Sequence, residues 1–397
     1  MFAFDILGAD GQARSGRLST SHGAIETPAF VPVGTRASVR AMRPEDLKSL
    51  GTQVIIANTY HLHLRPGEDL IQEVGGLHRF MGWEGPLMTD SGGFQIFSLG
   101  AGKEQGVGKI ASIFPEGKDS GGHLSGRKEK PLVRVNEEGA EFISYLDGSG
   151  HRFTPEGVIG IQRKLGADII LPLDECTSPL HDFDYTRKAM ERTHRWALRC
   201  LEAFEKGGSG NQTLLGIVQG GAYRDLRQES ASFMAGLPIG GFAIGGSLGN
   251  SKEDMYRVLE WTVPFLPDDR PRHLLGIGTL EDVFEIVQSG VDTFDCMVPT
   301  LMAGTGTLFS RGSDKYRMHI LNARFKTDSR PVEEGCRCPT CRTHSRAYLR
   351  HLFMSGEPLG VQLAAVHNLF FMEALVADIR EAVRGRRLAD LKREWLG

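Results

Sequence analysis

The sequence predicts an α/β fold: a (β/α)8 barrel, preceded by an antiparallel β element and followed by a zinc-binding segment near the C-terminus. Three observations predict it. Eight short apolar runs alternate with helical patterns over about 280 residues, which matches the size of such a barrel. Polar or glycine-rich punctuation falls after the strands. Three cysteines, Cys336, Cys338 and Cys341, lie within six residues late in the chain. The alternation alone would also suit a doubly wound open sheet; the punctuation favours the barrel, because there the loops following all eight strands converge on one mouth.

The chain has 397 residues, 40% of them hydrophobic and 24% charged, an ordinary balance for a globular protein. No wholly apolar run reaches the roughly 18 residues of a membrane span, and the N-terminus lacks the basic-then-apolar layout of a secretory signal. A cytoplasmic protein is therefore expected. The net charge of −3 is unevenly spread. Residues 311–397 hold 16 Lys and Arg against 10 Asp and Glu, and residues 1–310 hold 30 against 39. The C-terminal part is thus the side suited to a polyanion.

Taken in order, residues 2–27 alternate short apolar and polar stretches around Gly8, Gly11 and Gly16, which predicts an antiparallel hairpin or two. Buried strands are predicted at 29–33, 53–57, 86–89, 168–173, 213–218, 241–244, 273–277 and 291–294. Helical patterns lie at 44–50, 66–74, 155–165, 185–206, 223–235, 252–264 and 280–288. Residues 99–138, rich in Gly, Lys and Ser, interrupt the rhythm and read as an insertion, a flap whose lysines could touch substrate. The division that follows is 1–310 for the barrel with its hairpin and insertion, and 311–397 for the zinc-binding subdomain and C-terminal helices.

The punctuation after the strands carries the candidate chemistry. It falls at 58–61, 90–95, 174–176, 219–221, 245–249, 276–278 and at Asp295. Residues 290–309 centre on Asp295 at the end of the last predicted strand, a catalytic position in α/β barrels; Asp292 and Asp295 mark places where that strand meets polar surroundings. In the run 88–99, Asp90 and Ser91 follow a strand. Gly92 and Gly93 allow a ligand close to the backbone, and Phe94 offers a flat surface. Cys336, Cys338 and Cys341 supply most of a tetrahedral zinc site, with His344, His351 and His367 as candidates for the fourth ligand. Three thiolates and one imidazole would close the coordination sphere, so the metal would be structural.

With these motifs the chain resembles the queuine-type tRNA-guanine transglycosylases, in their bacterial single-subunit form. The resemblance runs from Thr27-Pro28-Ala29-Phe30 and Asn58-Thr59-Tyr60-His61-Leu62 through 88–99, 173–176, 216–221 and 241–246 to the cysteines and Val366-His367-Asn368. It implies a (β/α)8 barrel with a zinc-bearing insertion near its C-terminal end, His367 as the fourth ligand, and a homodimer. The activity implied is exchange of guanine in the wobble position of tRNAs with a G-U-N anticodon for a 7-deazaguanine, without ATP. In that scheme the Asp295 carboxylate attacks the ribose anomeric carbon, displaces guanine and leaves a covalent sugar-enzyme intermediate, which the incoming base resolves. Asp90 falls at the acid/base position. Asp174 would accept from the donor edge of the base, Gln219 and the Gly246 amide would donate to its carbonyl, and Phe94 would stack on it.

Two departures are visible. The pattern expected after the nucleophile, Pro-Thr-Arg-x-x-Arg-Asn-Gly, has Leu301, Gly304 and Thr305 where the arginines and asparagine belong. Arg311, Lys315 or the lysines of the insertion would compensate for RNA binding, or else the polynucleotide substrate differs. The loop 245–249 continues Asn250-Ser251, where bacterial relatives that take the aminomethyl base often carry an acid. Aminomethyl-deazaguanine remains the favoured base. The alternatives are a paralogue that inserts deazaguanine into another nucleic acid and a zinc-stabilised RNA-binding subunit without turnover; retention of Asp90, Asp174 and Asp295 argues against the latter.

Overall fold

The structure, a computed structural model, describes residues 2–97, 133–208 and 210–396. Its eight-stranded sheet is built from β4 (Ala29–Pro32), β5 (Ile55–Asn58), β6 (Leu87–Asp90), β10 (Ile169–Ile170), β11 (Thr213–Val218), β12 (Gly241–Ile244), β13 (Arg272–Leu274) and β14 (Thr293–Cys296). The order is β4-β14-β13-β12-β11-β10-β6-β5. Just beyond β4, Val33 bridges Ile56 of β5 in parallel, which joins the two ends of that order. This is the (β/α)8 arrangement expected from the alternation. The strands are buried apolar runs, as parallel strands covered on both faces must be.

Two compact units are distinguished within the chain. One comprises Met1–Ala57, His78–Met88 and His273–Gly397, and the other Asn58–Leu77 and Thr89–Arg272. In the first, β1 (Ala3–Asp10), β2 (Ala13–Thr20) and β3 (Gly23–Thr27) form an antiparallel meander, the two consecutive hairpins expected. Arg14 on β2 reaches Asp292: Nε donates to Oδ1 at 3.1 Å and a terminal nitrogen to Oδ2. Both side chains are buried, so Asp292 meets a guanidinium and not the polar boundary that local sequence suggested. Removing one partner of such a pair leaves an uncompensated buried charge, which costs about 3–5 kcal/mol.

The same unit contains the helix Pro358–Arg384, long and apolar enough by length and composition to cross a membrane. It is the core helix of this unit, burying Ala364, Leu369, Met372, Leu375, Val376 and Ile379 among others, and it packs on β1, β4 and β15 (Thr307–Phe309). β15 pairs antiparallel with β16 (Arg317–His319).

In the second unit the helix Pro155–Leu165 starts where the Thr154 side chain accepts from Gly157 N and ends at Gly166, whose φ of 76° suits a left-handed cap. Ahead of it lies a three-stranded antiparallel sheet of β7 (Val133–Asn136), β8 (Gly139–Ile143) and β9 (Gly150–Phe153). The expected insertion at 99–138 therefore takes in the whole of β7 and ends in the turn between β7 and β8; its residues 99–132 lie outside the described residues.

Candidate active site

Asp295 is the third residue of β14 and is largely buried. Its Oδ1 accepts from the amide of Gly276, just after β13, at 2.8 Å. The same oxygen lies 3.2 Å from Nε2 of His273, on β13. His273 Nδ1 lies 2.9 Å from the Thr293 hydroxyl, so the two ring nitrogens are each engaged. Oδ2 of Asp295 has no hydrogen-bond partner among the described residues. One oxygen is thus clamped while the other is available, the arrangement of an oriented carboxylate nucleophile. The neighbouring Cys296 is no rival: burial pushes its thiol up to about 12, which keeps it protonated.

The other polar candidates gather in the second unit. Asp90 ends β6, and its carboxylate accepts from Asn58 Nδ2 at 2.5 Å and from the Thr59 amide at 3.0 Å. Asn58 does double duty, since its Oδ1 accepts from His61 N and caps the helix Thr59–Leu64. The stretch 58–61, expected as loop, is a helix start whose first amide, that of Thr59, and whose cap residue Asn58 both donate to Asp90. Phe94 is half-buried in the helical stretch 93–97.

Asp174, buried after β10, accepts from Ser91 Oγ at 3.1 Å through Oδ1 and from Gln219 Nε2 at 2.6 Å through Oδ2. The backbone around it leaves no room for side chains. A Cβ on Gly93 would stand 2.7 Å from both the carbonyl oxygen and Oδ1 of Asp174. Gly246 has φ +76°, and a Cβ there would stand 2.0 Å from Gln219 Oε1. That Oε1 is buried without a hydrogen-bond partner among the described residues, so the Gln219 amide keeps an unused acceptor beside Gly246.

Two supports of this cluster escaped the sequence reading. Arg227, fully buried, donates to the carbonyls of Val218, Gly221 and Ser247 at 3.0, 2.7 and 2.7 Å. It ties the loops bearing Gln219 and Gly246 to one guanidinium, and burial pushes its pKa down to about 9. Glu175, next to Asp174, is buried against Arg192 and accepts from the Tyr185 hydroxyl at 2.9 Å. The only local signals were a lone arginine in an amphipathic helix and an acid pair.

Cys336, Cys338, Cys341 and His367 bring their ligand atoms within 4.8 Å of one another. His367 Nδ1 lies 3.9, 3.5 and 3.3 Å from the three sulfurs in that order. Tetrahedral zinc, with bonds of about 2.0 Å to nitrogen and 2.3 Å to sulfur, separates such atoms by roughly 3.6 Å. His367 Nε2 lies 2.7 Å from the Phe309 carbonyl, to which only an Nε2–H can donate, and this leaves Nδ1 as the free base facing the thiols. The residues present therefore fit a closed metal site, with His367 in the place for which His344 and His351 also stood as candidates.

Arg311 lies with its guanidinium 3.7 Å from the Trp395 ring centre and 3.8 Å from Asp378. Lys315 is exposed and makes no ion pair among the described residues.

Comparison with known proteins gives a consistent result. The profile of the family described as queuine tRNA-ribosyltransferase matches residues 10–114 and 115–397. A putative queuine tRNA-ribosyltransferase of Archaeoglobus fulgidus is 49% identical over 392 residues, covering 97% of this chain and 96% of the relative. Queuine tRNA-ribosyltransferases of Herpetosiphon aurantiacus and Roseiflexus sp. are 46% and 45% identical; each alignment covers 100% of this chain, with 92% and 99% of the relative.

Proposed function

The chain belongs to the queuine tRNA-ribosyltransferase family, and from that premise we propose that it exchanges guanine in the wobble position of tRNA for a 7-deazaguanine through a covalent intermediate on Asp295. The single observation that carries the reading is the asymmetry of that carboxylate, with Oδ1 held by His273 and Gly276 and Oδ2 unpartnered among the described residues. Oδ2 attacks the anomeric carbon of the target ribose. The bond from that carbon to guanine N9 breaks, its electron pair leaves with the base, and the ring nitrogens take up a proton. Resolution runs the same step in reverse with the incoming base, as a retaining glycosidase does with water.

Asp90 is the proposed acid/base, its orientation fixed by Asn58 and Thr59. Asp174 takes the donor edge of the base. Gln219 then turns its amide from Asp174 to the base carbonyl, where the Gly246 amide joins it, and Phe94 stacks on the ring. Asn250 and Ser251 leave the ammonium of an aminomethyl base to backbone carbonyls; we retain that base as the favoured substrate.

The three thiolates and His367 would hold a structural zinc, which contributes folding free energy and takes no part in the exchange. We further propose a homodimer acting in the cytoplasm on tRNAs with a G-U-N anticodon, with the basic region from residue 311 onward, Lys315 and Arg311 included, toward the RNA. A second reading, insertion of the deazaguanine into another nucleic acid, is favoured by one feature: Leu301 is 41% exposed with no charge on the helix that bears it.

The test is a denaturing gel of zinc-loaded protein with unmodified tRNA transcripts and with DNA, alongside exchange of labelled guanine. A tRNA adduct and guanine exchange, both lost in Asp295→Asn, support the first reading. An equal adduct with DNA moves the assignment to the second, and binding without any adduct leaves an RNA-binding subunit.

A further inference from the structure

We infer that His63 and His151 share a proton as one imidazolium, and that this charge fastens the helix which positions Asp90; the inference rests on the function proposed above. The helix Thr59–Leu64 meets Asp90 at its start, where Asn58 Nδ2 and the Thr59 amide donate to the carboxylate and the Thr59 hydroxyl donates to the Asp90 carbonyl. His63 lies one turn further on and ties the other end of the same helix to β9. It is thus a positioning residue, acting on the acid/base through the helix.

A chain of hydrogen bonds runs through the pair. His63 Nδ1 lies 2.8 Å from Glu68 Oε2, and its Nε2 lies 3.0 Å from His151 Nδ1. His151 Nε2 lies 2.7 Å from Ser149 Oγ, and that hydroxyl donates to Asp147 Oδ1 at 2.7 Å. These contacts fix the number of protons. An ionised carboxylate only accepts, so His63 Nδ1 carries a hydrogen for Glu68. The single hydroxyl hydrogen of Ser149 goes to Asp147, so its oxygen accepts from an Nε2–H of His151. The contact between the rings needs a third hydrogen. Three protons on four ring nitrogens is one more than two neutral imidazoles hold, and the pair therefore carries one positive charge between two carboxylates.

The surroundings agree with that count. Burial opposes it at Glu68, but the hydrogen bond from His63 holds that carboxyl below its ordinary value; the Ser149 hydroxyl holds Asp147 down to about 2. Burial and the charge of His63 push the His151 ring down, so His63 is the donor across the contact between the rings. Lys164, on the helix Pro155–Leu165, pairs with Asp69 and acts on Glu68 from outside, and His61 stands 3.3 Å from the Tyr145 hydroxyl. The remaining walls are apolar: Phe142 stacks on the His151 ring at 5.5 Å and Phe153 meets His63 edge-on at 5.1 Å. Histidines that only fill space require neither nitrogen facing nitrogen nor a carboxylate at each end of the chain.

The test is proton–nitrogen NMR of zinc-loaded full-length protein carrying isotope-labelled histidine, across pH, with the pair assigned by His63→Leu and His151→Phe and guanine exchange kinetics in parallel. In acid the pair holds three protons, and as pH rises it loses one as a unit. The carboxyl carbon resonance of Asp90, assigned by Asp90→Asn, moves with that loss in the wild type and not in His63→Leu. In acid His63→Leu is expected to have a kcat about tenfold lower with an unchanged KM for guanine, the effect of a misaligned acid/base. The wild type declines to meet it as pH rises. His63→Lys keeps its charge across the range, so it restores the rate and removes the decline. Two neutral rings at every pH, or His63→Leu with the kcat and Asp90 resonance of the wild type, overturn the inference. A second equivalent of bound metal that disappears in His151→Phe also overturns it, since the rings would then be ligands. Protein that exchanges no guanine overturns the proposed function, and the ring nitrogens with the Asp90 resonance still decide for or against the pair.

Discussion

His273 Nε2 lies 3.2 Å from Asp295 Oδ1 while its Nδ1 lies 2.9 Å from the hydroxyl of Thr293, so a side chain on β13 orients the carboxylate on β14. If Thr293 donates to Nδ1, the neutral imidazole must present Nε2–H to Asp295. A hydrogen bond to a charged group contributes about 1.5–3 kcal/mol, so His273→Phe is expected to lower kcat roughly 10- to 100-fold. The KM for guanine should not move, because in the proposed mechanism His273 orients the Asp295 carboxylate and does not bind the base. Steady-state kinetics check this; an unchanged kcat would remove His273 from the mechanism.

Gly246 and Gln219 set a second expectation. The alanine methyl of Gly246→Ala would stand 2.0 Å from Gln219 Oε1, at a backbone φ of +76°. Gln219 must then swing away and give up its 2.6 Å bond to Asp174. The variant should lose about 1–2 kcal/mol of stability from the left-handed backbone and bind guanine at least about tenfold more weakly, one hydrogen bond's worth at about 1.4 kcal/mol. Urea denaturation and calorimetric guanine titration read the two effects separately.

The strands were legible because each is a short apolar run bounded by glycine, proline or acid. The runs 213–218 and 241–244 are the observed β11 and β12. The sheet β7–β8–β9 was not, because its strands are short and half polar and follow a glycine- and lysine-rich stretch. Asp292 and Arg227 mark the deeper limit. The first is defined by Arg14, 278 positions away, and the second by three backbone carbonyls; no local pattern records either partner. Cys336, Cys338 and Cys341 announced a metal site because thiol spacing is itself local, whereas His367 comes from a distant helix.

Glu373 gives a pH dependence of defined sign. Burial pushes its carboxyl up to about 8, against the opposing effects of the Thr52 hydroxyl, 2.9 Å away, and Arg380. The folded chain therefore keeps a proton that the unfolded chain releases above its ordinary value of 4.5. Stability from this group is fully present below that value, falls as pH rises toward about 8 and is flat beyond. Glu373→Gln keeps an acceptor for Thr52 and removes the slope. It should match the wild type in acid and exceed it in stability above pH 8; urea midpoints across that range would show parallel curves if Glu373 were ionised in the folded chain.

The Cys336, Cys338, Cys341 and His367 cluster and the flank of Asp295 share two consecutive residues, and this decides what metal loss should do. His367 meets the Phe309 carbonyl at 2.7 Å. Asn368 accepts from Phe309 N at 2.9 Å and donates to the carbonyls of Pro299 and Thr307, each at 3.0 Å. Pro299 lies in the helix Val298–Gly304 that follows Asp295, so one turn of the long helix holds both the thiolate cluster and that flank. Asn368→Leu strands three buried backbone groups at about 1–3 kcal/mol each, a loss of several kcal/mol. Cys338→Ala opens the closed site and should likewise lower Tm and the protein's zinc content, while molecules that remain folded keep their kcat, since no ligand of the cluster touches the reacting carbon. Thermal unfolding with and without a strong chelator, read beside exchange rates normalised to folded protein, tests the division. Metal-free protein of unchanged Tm would show that the cluster is not structural.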